Sequence, residues 1–130
     1  MNVKTDTKEK FSVVTPVEGE ISANMTEELG QILTQFLQKD IPHVVLNLTE
    51  VNSMDDNAAG SIAAIQQEFY DKNASFVVCE MKPAVEEIFE KLELTDTMNI
   101  TPTESEAWDI VQMEEIEREL LSDFEEDENS

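Results

Sequence analysis

The feature that most constrains this chain is an apolar strand pattern that leads through an acidic turn into a helical pattern. Residues 44–48 read VVLNL, as expected for a central strand with both faces covered. Residues 54–60 follow with two consecutive acids, and residues 58–72 then place apolar side chains at helical spacing. Open α/β folds hold ligands and partner loops where strands end and helices begin. Function is therefore expected at residues 55–61.

The rest of the chain alternates strand and helix patterns. Apolar and β-branched runs predict the strands, with Pro16 marking an edge strand, and Pro83 is suited to a first helical position. This alternation predicts an α/β domain whose mixed, mostly parallel sheet has about 4–5 strands packed against about 4 helices. Strands are predicted at 11–17, 44–48, 75–79 and 98–100, and helices at 25–40, 58–72, 84–92 and from 103 onward.

The chain is strongly acidic. Thirty Asp and Glu residues against eight Lys and Arg give a net charge of −22, which would repel nucleic acid and anionic membrane surfaces. Residues 103–130 alone carry a net charge of −11. No apolar run approaches the ~20 residues that span a bilayer, and the first residues lack a secretory leader pattern. We expect a cytoplasmic protein that neither inserts into membranes nor binds nucleic acid.

A length of 130 residues fits one domain with a real core. Residues 1–10 are predicted to be a flexible segment and residues 11–121 to be the folded domain. Residues 122–130 are predicted to be a disordered acidic tail, because they offer little apolar surface to pack. The single cysteine, Cys79, lies in the apolar run at 76–79 and is expected to be buried.

The polar residues show no pattern for catalysis or metal binding. His43 has no nucleophile motif to pair with and is interpreted as the residue that leads into the strand at 44–48. The acidic turn matches an EF-hand calcium loop at three positions, but Ala59 and Gln66 stand where two further ligands are needed. We expect no enzymatic activity, no cofactor and no metal site.

The order of these elements resembles a STAS domain, the fold of bacterial anti-sigma factor antagonists. The resemblance covers about residues 11–112 and is most specific at residues 44–60. Residues 91–94 (KLEL) are similar to the family's leucine-rich end of the third helix, and residues 106–107 match the usual opening of the last helix. The resemblance implies a regulator that binds a kinase-like anti-sigma factor at the turn.

This chain departs from the family pattern at the turn itself. The family has Asp-Ser-Ser-Gly-x-Gly there, and the partner kinase phosphorylates the second Ser. Asp56 and Asn57 align with the two serines, so Asn57 cannot accept a phosphoryl group, while Asp56 adds a fixed negative charge. Binding without phosphorylation at the usual position is therefore predicted. Ser53 and Ser61 flank the turn as alternative phosphoacceptors.

The predicted partner-binding surface joins this turn to the loop before the first helix. Oxygen-bearing side chains at 55–57 are also of the types that cap helices, so at least one is predicted to cap the following helix. The predicted contact residues are Gly19, Glu20, Ser22, Asp55, Asp56, Asn57, Ala58, Ala59, Gly60 and Ser61.

Two alternative functions remain open. Some STAS proteins pack on an ATPase without being phosphorylated, so an accessory subunit of an ABC-type lipid transport system fits the resemblance. A receiver-like switch phosphorylated at Asp55 fits a strand-end acid followed by Lys82 and Pro83, although the acidic pair that holds magnesium in receivers is missing. The identity of the partner and the oligomeric state are left open.

Overall fold

The computed structural model describes the backbone of residues 1–129 and the side chains of residues 1–122. Short 3-10 helices at Ala23–Met25 and Gln35–Gln38 flank the first α-helix. In chain order the elements are β1 (Val3–Thr7), β2 (Ser12–Pro16), β3 (Glu20–Ile21), α1 (Thr26–Thr34), β4 (Val44–Asn47), β5 (Ser53–Met54), α2 (Asp56–Asp71), β6 (Phe76–Cys79), α3 (Pro83–Lys91), β7 (Ile100–Thr101) and α4 (Glu104–Asn129).

The main sheet has five strands in the order β1-β2-β4-β6-β7. β1 pairs with β2 in the antiparallel direction, and the other three pairings are parallel. In the centre, Leu46 stands opposite Val14 on one side and Val78 on the other. The α/β class, the mostly parallel mixed sheet and the four α-helices are as predicted. A separate pair of parallel strands, β3 and β5, lies outside the main sheet.

The central strands send alternate side chains into two cores, because successive residues of a strand point to opposite faces. Val44 and Leu46 belong to the larger core, which includes apolar side chains of α1, α2 and α3. Val45 and Val77 belong to the smaller core, which includes Ala107 and Val111 of α4. The first three helices therefore cover one face of the sheet and α4 covers the other.

Residues 1–10 do not form the flexible segment that the sequence suggested. Val3–Thr7 is the edge strand β1, in which Thr5 stands opposite Val14. Four of its five side chains are exposed, so backbone hydrogen bonds to β2 hold most of the strand in place, while Val3 at its start packs against the larger core. The polar composition of this strand hid it from an interpretation based on apolar patterns.

The last helix continues beyond the point where a disordered tail was predicted. The backbone of α4 is helical from Glu104 to Asn129. The side chains of 123–129 and the whole of Ser130 lie outside the described residues, so how the acidic segment packs stays a prediction. Within the part of the chain that the structure describes, we find no helix with both the length and the apolar character needed to cross a bilayer.

Candidate functional site

The small β3–β5 sheet brings together the two segments that the sequence interpretation combined. Glu20 in β3 stands opposite Ser53 in β5. The carbonyl oxygen of Gly19 accepts the N–H groups of Asn52 and Ser53 at 2.7 and 3.1 Å. The loop at 19–22 therefore lies beside the turn that starts α2. We call these two segments, residues 19–22 and 55–61, the turn surface.

Asp55 connects the two halves of the turn surface through its side chain. It occupies the N-cap position of α2, but its carboxylate makes no cap hydrogen bond to that helix. Its Oδ2 instead accepts the backbone N–H of Ala23 at 3.0 Å, and its own N–H donates to the carbonyl of Ile21 at 3.0 Å. The predicted side-chain cap of α2 is therefore wrong, because the Asp55 carboxylate accepts the N–H of Ala23 at the start of the 3-10 helix Ala23–Met25 instead.

Asp56 joins the start of α2 to the end of α3. Its Oδ2 lies 2.8 Å from Nζ of Lys91, and the two side chains are 51% and 61% exposed. An ion pair this exposed contributes roughly 0–1 kcal/mol to stability. Its main effect is on the surface charge, since Lys91 places a cation beside the fixed anion of the turn.

The first turns of α2 divide the predicted contact residues between surface and core. Asn57 and Gly60 are exposed, and a Cβ at Gly60 would meet no atom within 4 Å. Ala58 and Ala59 are fully buried in the larger core, so their side chains are not available for contact. Contact of these two residues with a partner stays a prediction, and it would have to be made by their backbone. Residues 58, 59 and 62 share one helical face, a spacing that could have assigned them to the core.

The two alternative phosphoacceptors differ in their surroundings. Ser53 is exposed in β5. Ser61 is half-buried, and its hydroxyl donates to the backbone carbonyl of Asn57 at 3.0 Å. The Ser61 hydroxyl is partly shielded and already donates its hydrogen within its own helix. Ser53 is therefore the more accessible of the two serines.

Two lysines lie at the border of the turn surface, and the sequence had not placed either of them among the partner-binding residues. Lys91 pairs with Asp56, and Lys82 donates to Oδ1 of Asn52 at 2.6 Å. Lys82 comes three residues after the end of β6, and this position was a usable signal because the carboxyl ends of parallel neighbours meet at one edge of the sheet. The turn surface thus presents acids flanked by two cations.

The remaining reactive side chains lie elsewhere. Burial raises the pKa of the Cys79 thiol to about 12, which makes the thiolate scarce at neutral pH. His43 is buried directly before β4, at the opposite end of that strand from the turn surface. Among the residues with described side chains, His, Cys, Asp and Glu form no group of three or more arranged to hold a metal ion. The turn surface itself presents the exposed carboxylates of Asp55 and Asp56 and the exposed amide of Asn57.

The STAS domain family matches residues 2–107 of this sequence. That match covers most of the chain and includes every segment of the turn surface. The chain belongs to the STAS domain family.

Several solved structures share the fold. The chain is 21% identical to a protein of Thermotoga maritima named as a candidate anti-sigma factor antagonist, with a TM-score of 0.76 over 85% of this chain and 94% of that one. It is 22% identical to an anti-sigma factor antagonist of Mycobacterium paratuberculosis, with a TM-score of 0.74 over 85% and 93%. It is 20% identical to the antagonist SpoIIAA in its unphosphorylated form, with a TM-score of 0.67 over 85% and 96%.

Proposed function

We propose that this chain is a non-catalytic, cytoplasmic regulator that acts by binding another protein, in the manner of an anti-sigma factor antagonist. The observation that carries the proposal is the turn surface, in which Asp55 and the β3–β5 pairing fix two loops beside the exposed start of α2. Membership of the STAS family and the names of the similar solved structures support the same function.

The proposed partner is a kinase-like anti-sigma factor that binds the turn surface. Asn57 stands exposed where the family has its phosphoacceptor Ser, and an amide cannot take a phosphoryl group. Asp56 adds a carboxylate next to it, but Lys91 compensates much of that charge. Binding is therefore proposed to be constitutive at this position, with charge and shape setting the choice of partner.

A second candidate is an accessory subunit of an ABC-type lipid transport system. The same Asn57 favours it, because such a subunit does not need the phosphoacceptor. A receiver-like switch at Asp55 has less support. Its carboxylate already accepts the N–H of Ala23, and the sheet has an antiparallel edge strand where receivers have parallel strands throughout.

Capture of the tagged full chain from its own cells at moderate salt tests the proposal. Asp56→Lys reverses charge on the turn surface, and Glu68→Lys makes the same change at an exposed position of α2. The two positions are 12 residues or about 18 Å apart along the helix, so Glu68→Lys is a matched control for net charge.

An ATPase-fold kinase that is retained by Glu68→Lys and lost with Asp56→Lys would support the sigma-regulator function. Recovery of transporter subunits with the same dependence would favour the transport candidate. Partners retained equally by both variants would mean that the turn surface is not where they bind.

A further inference from the structure

α4 exposes a line of large apolar side chains on the side that faces away from the sheet. Met113, Ile116 and Leu120 are 59%, 56% and 63% exposed. Their spacing of three and four residues places them on one face of the helix. Val111 and Ala107, which pack on the sheet, lie on a different face. Exposed apolar residues are common singly, but a contiguous line of them marks an interaction surface.

A cleft of about 610 Å³ adjoins this line. Ile116 lines the cleft together with Val111 and with Ile41, which is itself 43% exposed and comes from the segment before β4. Because Ile116 belongs to both features, the line on α4 continues into the cleft, where Ile41 and Ile116 form an apolar strip between polar side chains. We call it the α4 surface and define it by its four exposed apolar residues, Ile41, Met113, Ile116 and Leu120.

Acidic side chains border the α4 surface. The polar lining of the cleft includes four carboxylates and one lysine. One of these carboxylates, Glu115, already contacts His43 and Arg118. The other three carboxylates take no part in these contacts. The cleft carboxylates are Glu9, Asp40, Glu115 and Glu119.

We propose that the α4 surface binds a basic amphipathic helix of a partner protein. Such a helix would place its apolar face in the cleft and along the line on α4, and its Lys and Arg side chains against the acidic border. Charge complementarity selects this occupant. A second copy of the chain would bring another −22 charges, and an anionic membrane would likewise be repelled.

This surface is separate from the turn surface. α4 covers the opposite face of the sheet from α1 to α3, and the cleft lies near His43, which precedes β4, whereas the turn follows it. The inference therefore goes beyond the proposed function. Either surface can be disrupted without altering the contacts of the other.

The test uses the full chain and a synthetic, labelled helical peptide of about 18 residues made only of Leu and Lys. A matched peptide replaces every Lys by Glu. The variant Ile116→Ser/Leu120→Ser removes two members of the α4 surface, and Tyr70→Ser removes an exposed ring, 72% exposed, from α2 as a control. Fluorescence anisotropy gives affinities, and backbone NMR shifts locate the binding.

We expect the Lys peptide to bind and the Glu peptide not to bind. The double variant should weaken binding at least about tenfold, because apolar anchors at the centre of an interface carry most of its affinity. Tyr70→Ser should bind as the unmodified chain does. NMR shifts should concentrate at residues 41 and 111–120. Ile41→Ser, on a different segment, should also weaken binding, so the test does not depend on the helicity of the double variant.

Three results would overturn the inference. Equal affinity for the unmodified chain and both α4-surface variants would mean that the peptide binds through charge alone. Shifts concentrated at residues 55–61 would place the peptide on the turn surface. Concentration-dependent dimers that the double variant abolishes would assign the surface to self-association instead of a basic partner.

Discussion

Nδ1 of His43 accepts the backbone N–H of Ser75 at 2.9 Å. An N–H group can only donate, so the neutral ring carries its hydrogen on Nε2, which lies 2.7 Å from Oε2 of Glu115. Arg118 donates to the same carboxylate oxygen and to the hydroxyl of Ser75. Protonation of His43 at Nδ1 would therefore remove the acceptor of a buried N–H group.

This geometry predicts that the protein loses stability as the pH falls below about 6.5. Burial lowers the pKa of His43 from its ordinary value, against the carboxylate of Glu115, which raises it. The unfolded chain takes up a proton near pH 6.5 while the folded chain does not, so the free energy of unfolding decreases as the pH falls through that value. Denaturant unfolding between about pH 7.5 and 5.5 measures the slope.

The control for this pH dependence is His43→Asn, whose amide oxygen can accept the Ser75 N–H group but does not titrate. Its stability should depend less steeply on pH over the same range. Identical slopes for the two proteins would show that other groups cause the effect.

The contact between Asp55 and Ala23 predicts different effects of two substitutions. Asp55→Ala removes the acceptor and should lower the free energy of unfolding by about 1 kcal/mol, because the Ala23 N–H loses its partner at a partly hydrated position. Asp55→Asn retains an oxygen acceptor and should cost less. Urea unfolding of the two variants measures the difference. If Asp55→Ala were as stable as the unmodified chain, the hydrogen bond from Ala23 would contribute nothing to the stability of the fold.

Cys79 predicts a chemical probe of global unfolding. The thiol is fully buried in β6 and its pKa is raised to about 12, so a disulfide reagent should not react with the native protein at about pH 8. Denaturant should make the thiol react at once. The rate of labelling in dilute denaturant should follow the fraction unfolded measured by circular dichroism, and rapid labelling of the native protein would contradict the burial.

The sequence predicted those strands and helices that a local run of apolar residues or a single proline marks. β4 and β6 stand where the apolar runs at 44–48 and 75–79 placed them, and Pro83 starts α3 as predicted. β1 was missed because it is polar and is held by backbone pairing to β2. Local pattern says nothing about which strand a polar segment will pair with.

The sequence predicted which two segments form the candidate site. It did not predict the side-chain contacts that hold them together. The segments at 19–22 and 55–61 were combined from the family resemblance, and the β3–β5 pairing puts them side by side. The bond from Ala23 to Asp55 spans 32 residues and that from Lys91 to Asp56 spans 35. Such contacts depend on how the helices pack, so no periodicity in the chain encodes them.

Asn57→Ser is predicted to restore phosphorylation if the proposed kinase-like partner binds the turn surface. Asn57 is exposed, so the exchange should not alter the fold. Incubation of the variant with the partner and ATP should give a singly phosphorylated protein by mass spectrometry, with Asn57→Ala as the control. A variant that binds the partner but is never phosphorylated would show that the partner is not a kinase or binds in another geometry.

The ion pair between Asp56 and Lys91 allows the charge of the turn to be separated from its structural role. The single variants Asp56→Lys and Lys91→Asp break the pair, and each should change the free energy of unfolding by no more than about 1 kcal/mol. The double variant Asp56→Lys/Lys91→Asp can form the pair again with the charges exchanged, so its stability should return toward that of the unmodified chain.

Partner affinity should behave differently from stability in this series. If the partner recognises a negative charge at position 56, the double variant should bind as weakly as Asp56→Lys, because the pair is restored but the anion has moved to α3. Isothermal titration with the captured partner gives the affinities. Recovery of affinity together with stability would instead mean that the pair acts only by holding α2 against α3, and that the charge at the turn is not what the partner recognises.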